Sequence, residues 1–221
     1  MKKMETKHAT LAEDGRALYH NTQISATNSQ PTTVSQMFNV WKLIVPGTAV
    51  NQRVGTEIWP RGMSMRIFLE NVADRPNVHY RIIIGSAPKQ RSDGVATNYN
   101  NLELLDMGGT VGNLCRHPTT DLGYKIFYDR VIPNEKGTSL IANPGLAGDQ
   151  SNMCCHKFFK VWIKRKKAGK IIYNNSASGV IAEIVNKPLF FCVIAYDSVG
   201  TLVTDHIGNV SYQTKLYWKD A

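Results

Sequence analysis

The stretch from His156 to Lys170, HKFFKVWIKRKKAGK, interleaves cations with aromatic rings. Taken as a β-strand, it sends successive side chains to opposite faces. Phe159, Val161 and Ile163 form an apolar stripe on one face, while Phe158, Lys160, Trp162, Lys164 and Lys166 occupy the other. Amines that meet phosphates, set beside rings that stack on bases, are the chemistry of single-stranded nucleic-acid binding. An edge strand armed with lysines against aggregation would have the same composition. This segment alone therefore does not decide between the two.

Two other segments carry the same pattern. In the run up to Leu69, Met63, Met65, Ile67 and Leu69 make an apolar stripe, and Arg66 and Phe68 point the other way. Near the end of the chain, Val210, Tyr212, Leu216 and Trp218 oppose Gln213, Lys215, Tyr217 and Lys219. Burial of apolar area is the main driving force available, so each stripe is expected to face a core. If the three strands are neighbours in one sheet, their other faces merge into one surface. It would hold Arg66, Phe68, Lys160, Trp162, Lys164, Lys215, Tyr217 and Lys219, the expected nucleic-acid-binding residues. None of these is acidic, and Glu70, at the end of its strand, is the nearest exception.

The elements that would position them are almost all strands. Eight candidates run over Arg16–Ile24, Phe38–Val45, Thr56–Leu69 (bent at Pro60), Val78–Gly85, Leu122–Ile132, His156–Arg165, Leu189–Asp197 and Val210–Lys219. They are rich in Val, Ile, Phe, Tyr and Trp and are separated by Gly, Pro, Asn and Ser clusters, which is strand punctuation. Only NNLELLD, Asn100 to Asp106, offers a short helical pattern. The connections Ser86–Asp121, Pro133–Cys155 and Lys166–Lys187 are long, and loops of that length usually serve a function or a partner.

The fold expected is all-β, an eight-stranded antiparallel jelly-roll sandwich with long surface loops. Lettered B to I in chain order, its strands form the sheets B-I-D-G and C-H-E-F, which makes the third, sixth and eighth strands neighbours. Leu189 to Ala195 is apolar on both faces, as for a strand also covered by a loop or by a neighbouring subunit. No composition break or fixed-period repeat divides the chain. One domain over residues 1–221 is expected, with 1–15 as a flexible N-terminal arm remnant.

Charge narrows the partners. Charged residues are 19% of the chain, below the roughly 25% of an average domain, yet Lys and Arg number 26 against 17 Asp and Glu. The resulting net charge of +9 suits a polyanion. No apolar run is long enough to span a bilayer, so membrane insertion is not expected, and the N-terminus has no apolar stretch of a secretory signal. Cys115, Cys154, Cys155 and Cys192 fit no disulfide framework and read as free thiols. Cys115 with His117, and Cys154 and Cys155 with His156, lack zinc spacing, so no metal or other cofactor is expected. Asp106 and Asp149 are the loop acids available to a divalent ion between subunits. Catalytic signatures are missing, Asp205-His206 is an adjacency and not a dyad, and Tyr128-Asp129-Arg130 reads as a strand-end ion-pair cluster. The chain is not expected to be an enzyme.

These stretches resemble the single-jelly-roll coat proteins of circular, Rep-encoding single-stranded DNA viruses, the circovirus-like group. The resemblance is carried by Ile44–Leu69 (IVPGTAVNQRVGTEIWPRGMSMRIFL), Tyr124–Pro133 (YKIFYDRVIP), His156–Asn175 and the terminal Leu216-Tyr217-Trp218-Lys219-Asp220. It covers most of Phe38 to Ala221 through the order and spacing of patterns rather than through one specific motif. It implies a homo-oligomeric icosahedral shell, in the simplest T=1 case of sixty copies, with the B-I-D-G sheet turned to a packaged single-stranded DNA genome. It also implies location in the virion and, during assembly, in the host nucleus; host and receptor stay open. Such coats usually begin with an arginine-rich arm, whereas only Lys2, Lys3 and Lys7 stand in the first residues here. Sixty copies at +9 would neutralise on the order of 500 phosphates, short of a genome of usual length. Lys164, Arg165, Lys166 and Lys167 could form a nuclear-localisation signal or simply a basic hairpin tip. The alternatives are the coat of a small RNA virus, a non-viral single-stranded nucleic-acid-binding jelly roll, and a jelly-roll lectin or receptor ligand.

Overall fold

A computed structural model describes residues 6–20, 38–39, 44–72, 75, 77–86, 105, 115, 117–118, 124–135, 156–164, 170–173, 189–197, 202 and 204–220. They hold nine strands. These are β1 (Lys7–Tyr19), β2 (Phe38–Asn39), β3 (Glu57–Asn71), β4 (Asn77–Ser86), β5 (Lys125–Glu135), β6 (His156–Lys164), β7 (Ile171–Ile172), β8 (Leu189–Asp197) and β9 (His206–Asp220). One sheet has the order β1-β9-β3-β6, with β7 also paired to β3, and the other has the order β2-β8-β4-β5. All the strand pairs are antiparallel. With the eight expected strands lettered B to I, these orders are B-I-D-G and C-H-E-F. The fold is an antiparallel jelly-roll sandwich.

Alternation explains the core. Met63, Met65, Ile67 and Leu69 of β3, Val161 and Ile163 of β6, and Val210, Tyr212, Leu216 and Trp218 of β9 are all buried. They meet Val78, Tyr80, Ile82 and Ile84 of β4 and Leu189, Phe191, Val193 and Ala195 of β8 in one cluster between the sheets. Each such side chain contributes roughly 1.5–3 kcal/mol through burial, which is what holds three cation-bearing strands in one register.

The outer face of the second sheet is also apolar. Ile83, Phe190, Cys192 and Ile194 form a separate cluster with Leu105 and Tyr124. Leu105 lies in the long connection between β4 and β5 and is bridged to Pro118, so part of that loop packs on the sheet. Of the two covers open to the doubly apolar Leu189–Ala195 run, the described residues show the loop. Next to this cluster Arg81 and Asp129 face each other in a two-bonded ion pair of 2.8 and 2.6 Å. Asp129 thus pairs across the ladder with β4 in mid-strand, where a strand-end cluster with Arg130 was expected.

Several boundaries differ from the sequence reading. Residues 7–15 are not a flexible arm: they belong to β1, in register on β9 from Lys7↔Trp218 onward. Asp14-Gly15 forms a bulge inside the strand. Gly15 has φ 62°, a left-handed value that glycine adopts without strain, and its N–H donates to Ser211 Oγ at 2.8 Å. The expected strand Arg16–Ile24 ends at Tyr19, and residues 21–24 lie outside the described residues. Phe38–Val45 reduces to Phe38–Asn39; Ile44 and Val45 are not strand, and 40–43 lie outside. Ile171–Ile172, expected in a loop, pairs with Ile58 and Glu57 of β3. The short helix expected at 100–106 lies outside the described residues except for Leu105.

Candidate nucleic-acid interface

The register of the first sheet lays its outward side chains in rows. Thr10 (β1), Lys215 (β9), Ser64 (β3) and Trp162 (β6) are successive cross-strand partners. The next row is Ala12, Gln213, Arg66 and Lys160, and the row on the other side is His8, Tyr217, Gly62 and Lys164. Beyond Arg66, Phe68 lies between Ser211 and Phe158, and Glu70 between Asn209 and His156. Neighbouring strands stand about 4.8 Å apart and same-face residues about 7 Å apart along a strand. Arg66, Lys160 and Lys215 are therefore immediate neighbours.

Thr10, Ser64, Arg66, Lys160, Gln213, Lys215 and Tyr217 line a shallow open basin of about 360 Å³. Its walls are three cations, three hydroxyls (Tyr217's phenol among them) and an amide, all able to donate hydrogen bonds to anionic oxygens. The rings stand around it. Trp162 and Tyr217 are 5.6 Å apart between centroids, Lys215 Nζ lies 5.6 Å from the Tyr217 centroid, and Phe68 stacks on His156 at 5.6 Å. Trp162 is 50% exposed and Phe158 61%, large apolar areas left in solvent on a strand whose alternate residues are buried. The Trp162 ring packs closely over position 62 because that residue is glycine: a Cβ there would sit 2.8 Å from Trp162 Cζ2.

The cations are available. Among the described residues no carboxylate lies within ion-pairing distance of Arg66, Lys160, Lys164, Lys215 or Lys219. The ion pairs found involve other basic residues: Lys7 with Asp220, Arg75 with Asp197 and Asp205, Arg81 with Asp129, and Lys170 with Glu57. At the edge of the face, Lys7 Nζ is held 2.8 Å from Asp220 and donates to the Gln52 carbonyl at 3.0 Å. This clasp closes the start of β1 on the end of β9 and on the 44–56 loop. Arg53 stiffens that loop by donating to the carbonyls of Ile44 and Gly55 while lying over the Tyr173 ring.

All eight residues expected on this face are outward, and seven of them belong to the rows from Phe68 to Tyr217. Lys219 stands apart, beyond an irregularity between Pro60 and Gly62, where it pairs with Trp59. His8, Thr10, Ser64 and Trp59 also belong to the face without being expected there, and Gln213, expected outward, was not among the expected binding residues. His8 and Thr10 were missed because their strand was read as an arm. Ser64 and Gln213 are neutral and stand out only once the register is known. Of the basic quartet, Lys164 is on β6, while Arg165, Lys166 and Lys167 lie outside the described residues, as do Asp106, Asp149, Cys154 and Cys155.

The remaining chemistry is structural. His206 Nε2 lies 2.9 Å from both the Gly208 carbonyl and Asn209 Oδ1, whereas Asp205 takes Arg75, so the two adjacent residues do not form a dyad. Cys115 and Cys192 are free thiols, and burial pushes the Cys192 thiol up to about 12. No group of three or more His, Cys, Asp or Glu able to hold a metal occurs among the described residues.

No family model and no curated protein sequence matches the chain. The solved structures that align with the chain include two viruses and a viral protein. The structure of infectious bursal disease virus, Gx strain, aligns over 97% of this chain and 32% of that one, at 8% identity and a TM-score of 0.33. The Macrobrachium rosenbergii nodavirus structure aligns over 100% and 55%, at 10% identity and a TM-score of 0.39. VP1 of Trichodysplasia spinulosa-associated polyomavirus, in complex with 6'-sialyllactose, aligns over 97% and 94%, at 9% identity and a TM-score of 0.22. This chain thus spans about a third of the first of these proteins and just over half of the second. Scores below 0.5 add nothing to strand order and register, on which the fold rests.

Proposed function

We propose that this chain is the subunit of a viral capsid, which self-assembles into an icosahedral shell and packages single-stranded DNA on the open face of the β1-β9-β3-β6 sheet. The observation that carries the reading is the conjunction on one sheet face of five cations unpaired among the described residues with exposed rings. The jelly-roll strand order and the circovirus-like pattern of the sequence support the capsid half of it.

In this reading Arg66, Lys160 and Lys215 take phosphate oxygens in the basin, assisted by the hydroxyls of Thr10 and Ser64. Trp162, Tyr217 and Phe68 take bases, a contact that does not depend on sequence because every base has a π-face. Duplex bases are stacked inside the helix, so rings on a sheet surface meet them only in an unpaired strand. The face is turned inward in a T=1 shell of sixty copies, assembled in the host nucleus.

Electron microscopy of the purified protein, with nuclease treatment and analysis of the protected nucleic acid, tests the proposal. Closed shells holding nuclease-resistant single-stranded DNA are expected. A protein that stays monomeric across salt and pH, or shells with Trp162 and Lys164 on the outside, would end it. Shells holding RNA would keep the interface and replace the cargo.

A further inference from the structure

The irregularity in β3 places a second ring on the open face. Pro60 pairs with Trp218 and Gly62 with Tyr217, so Arg61 has no partner on β9 and the alternation inverts across it. On one side Met63, Met65, Ile67 and Leu69 face the core; on the other Ile58 and Pro60 do, and Trp59 turns outward, 41% exposed. Its cross-strand partner on β9 is Lys219, and from the other side Lys170 Nζ lies 5.5 Å from the ring centroid. An ammonium beside a ring also occurs at Lys215 and the half-buried Tyr217, at 5.6 Å. The unit that lines the basin is thus repeated beyond the bulge.

We infer that Trp59 is a further stacking platform of the nucleic-acid interface, so that one extended single strand runs from the basin and Trp162 across the bulge to Trp59. The inference rests on the nucleic-acid reading above. Trp162 lies opposite Ser64, five residues from Trp59 on β3, and the two rings are on the order of 15 Å apart. Several nucleotides are needed to cover that span. A short oligonucleotide fills the basin and reaches the rings around it, whereas a long one also reaches Trp59. Lys219, beside Trp59 on β9, is the phosphate contact at that end.

The test is binding by the full chain of fluorescein-labelled (dT)4, (dT)20 and a 20-base-pair duplex, followed by anisotropy at fixed salt. Trp59→Ala is expected to weaken (dT)20 by about tenfold, the stacking of roughly one base, and to leave (dT)4 and the duplex unchanged. Trp162→Ala is expected to weaken (dT)4 and (dT)20 alike. As a check independent of truncation, (dT)20 should quench more tryptophan fluorescence in the wild type than in Trp59→Phe, and (dT)4 should quench both equally. Wild-type affinity for (dT)20 in Trp59→Ala, beside a loss in Trp162→Ala, overturns the inference and leaves the interface standing. If neither variant weakens (dT)20, the interface itself is wrong.

Discussion

The two sheets of this sandwich share a core yet present opposite outer faces. Outside β2-β8-β4-β5 an apolar cluster stands beside the closed Arg81–Asp129 ion pair, and the chain's own Leu105 and Tyr124 pack on that cluster. Outside β1-β9-β3-β6 the side chains are cationic and aromatic, and the basin over Arg66, Lys160 and Lys215 is open. The alternating strand does not dictate this difference, because it offers both faces equally. The difference lies in which residues fill the second face and in what is left to cover them. An apolar outer face acts in stability, whereas a charged one with exposed rings is held ready for something else.

The sharpest way to break the contrast is one deletion on each face. Phe190→Ala removes a fully buried ring that meets Tyr124 edge-on at 6.0 Å and should cost about 3–5 kcal/mol in urea unfolding. Trp162→Ala, of comparable size but half exposed, should stay within about 0.5 kcal/mol of wild type in the same measurement. Equal losses would mean that the open face is structural after all.

Next in size is the effect of charge. Lys160, Lys164 and Lys215 changed together to Ala should leave the unfolding midpoint in place. In a plot of log affinity for single-stranded DNA against log salt, the slope should become shallower by about 2, at roughly 0.7 for each phosphate no longer neutralised. An unchanged slope would remove these lysines from the interface.

A smaller effect concerns the corner where the sheets join. His20 bridges to Ala195 of β8, and its buried Nδ1 accepts the Asp197 N–H at 3.1 Å. Burial lowers its pKa from 6.5; Asp197 and Asp205 act against the shift, and Arg75 adds to it. The unfolded chain therefore takes the proton first. Stability from this contact is complete above pH 6.5 and falls as the pH drops from there toward the lowered value. Urea midpoints at pH 7.5 and 5.5 should show the loss in wild type and less of it in His20→Gln, whose amide oxygen can accept the same N–H without titrating. Identical pH dependence in the two would exclude His20 as its source.

The smallest effect separates two thiols. With its thiol near 12, Cys192 is ionised in only about one molecule in ten thousand at pH 8. Iodoacetamide on the native protein should alkylate exposed Cys115 and spare Cys192, as read by peptide mass spectrometry. Rapid labelling of Cys192 would show that the apolar outer face opens.

The facing of β3, β6 and β9 was legible from their long apolar stripes, and strand order followed from the jelly-roll connection of eight strands. Met63 to Leu69 leaves no choice of face. Only the end of β1, from Arg16, was legible; its first part was not, since Ala9 and Leu11 make a thin stripe and Asp14-Gly15 has the composition of a turn. Its β9 register brings it into the sheet, and no local signal does so. β7 is only two residues long and exists through its partners on β3. Trp59 was hidden by the same parity that revealed Trp162: counting back from Met63 by twos puts it in the core, and only the unpaired Arg61 turns it out. Pro60 hinted at a bend but not at its sense.

The seat of Trp162 on Gly62 has a consequence for how such a protein can vary. A methyl at position 62 would press on the indole at 2.8 Å and on the Ile163 carbonyl oxygen at 3.0 Å, and the ring would have to shift with no change in any charge or ring. If the open face binds a single strand, its affinity is adjustable at a position that never touches the strand. Selection on that binding would then act beneath the surface and not on it.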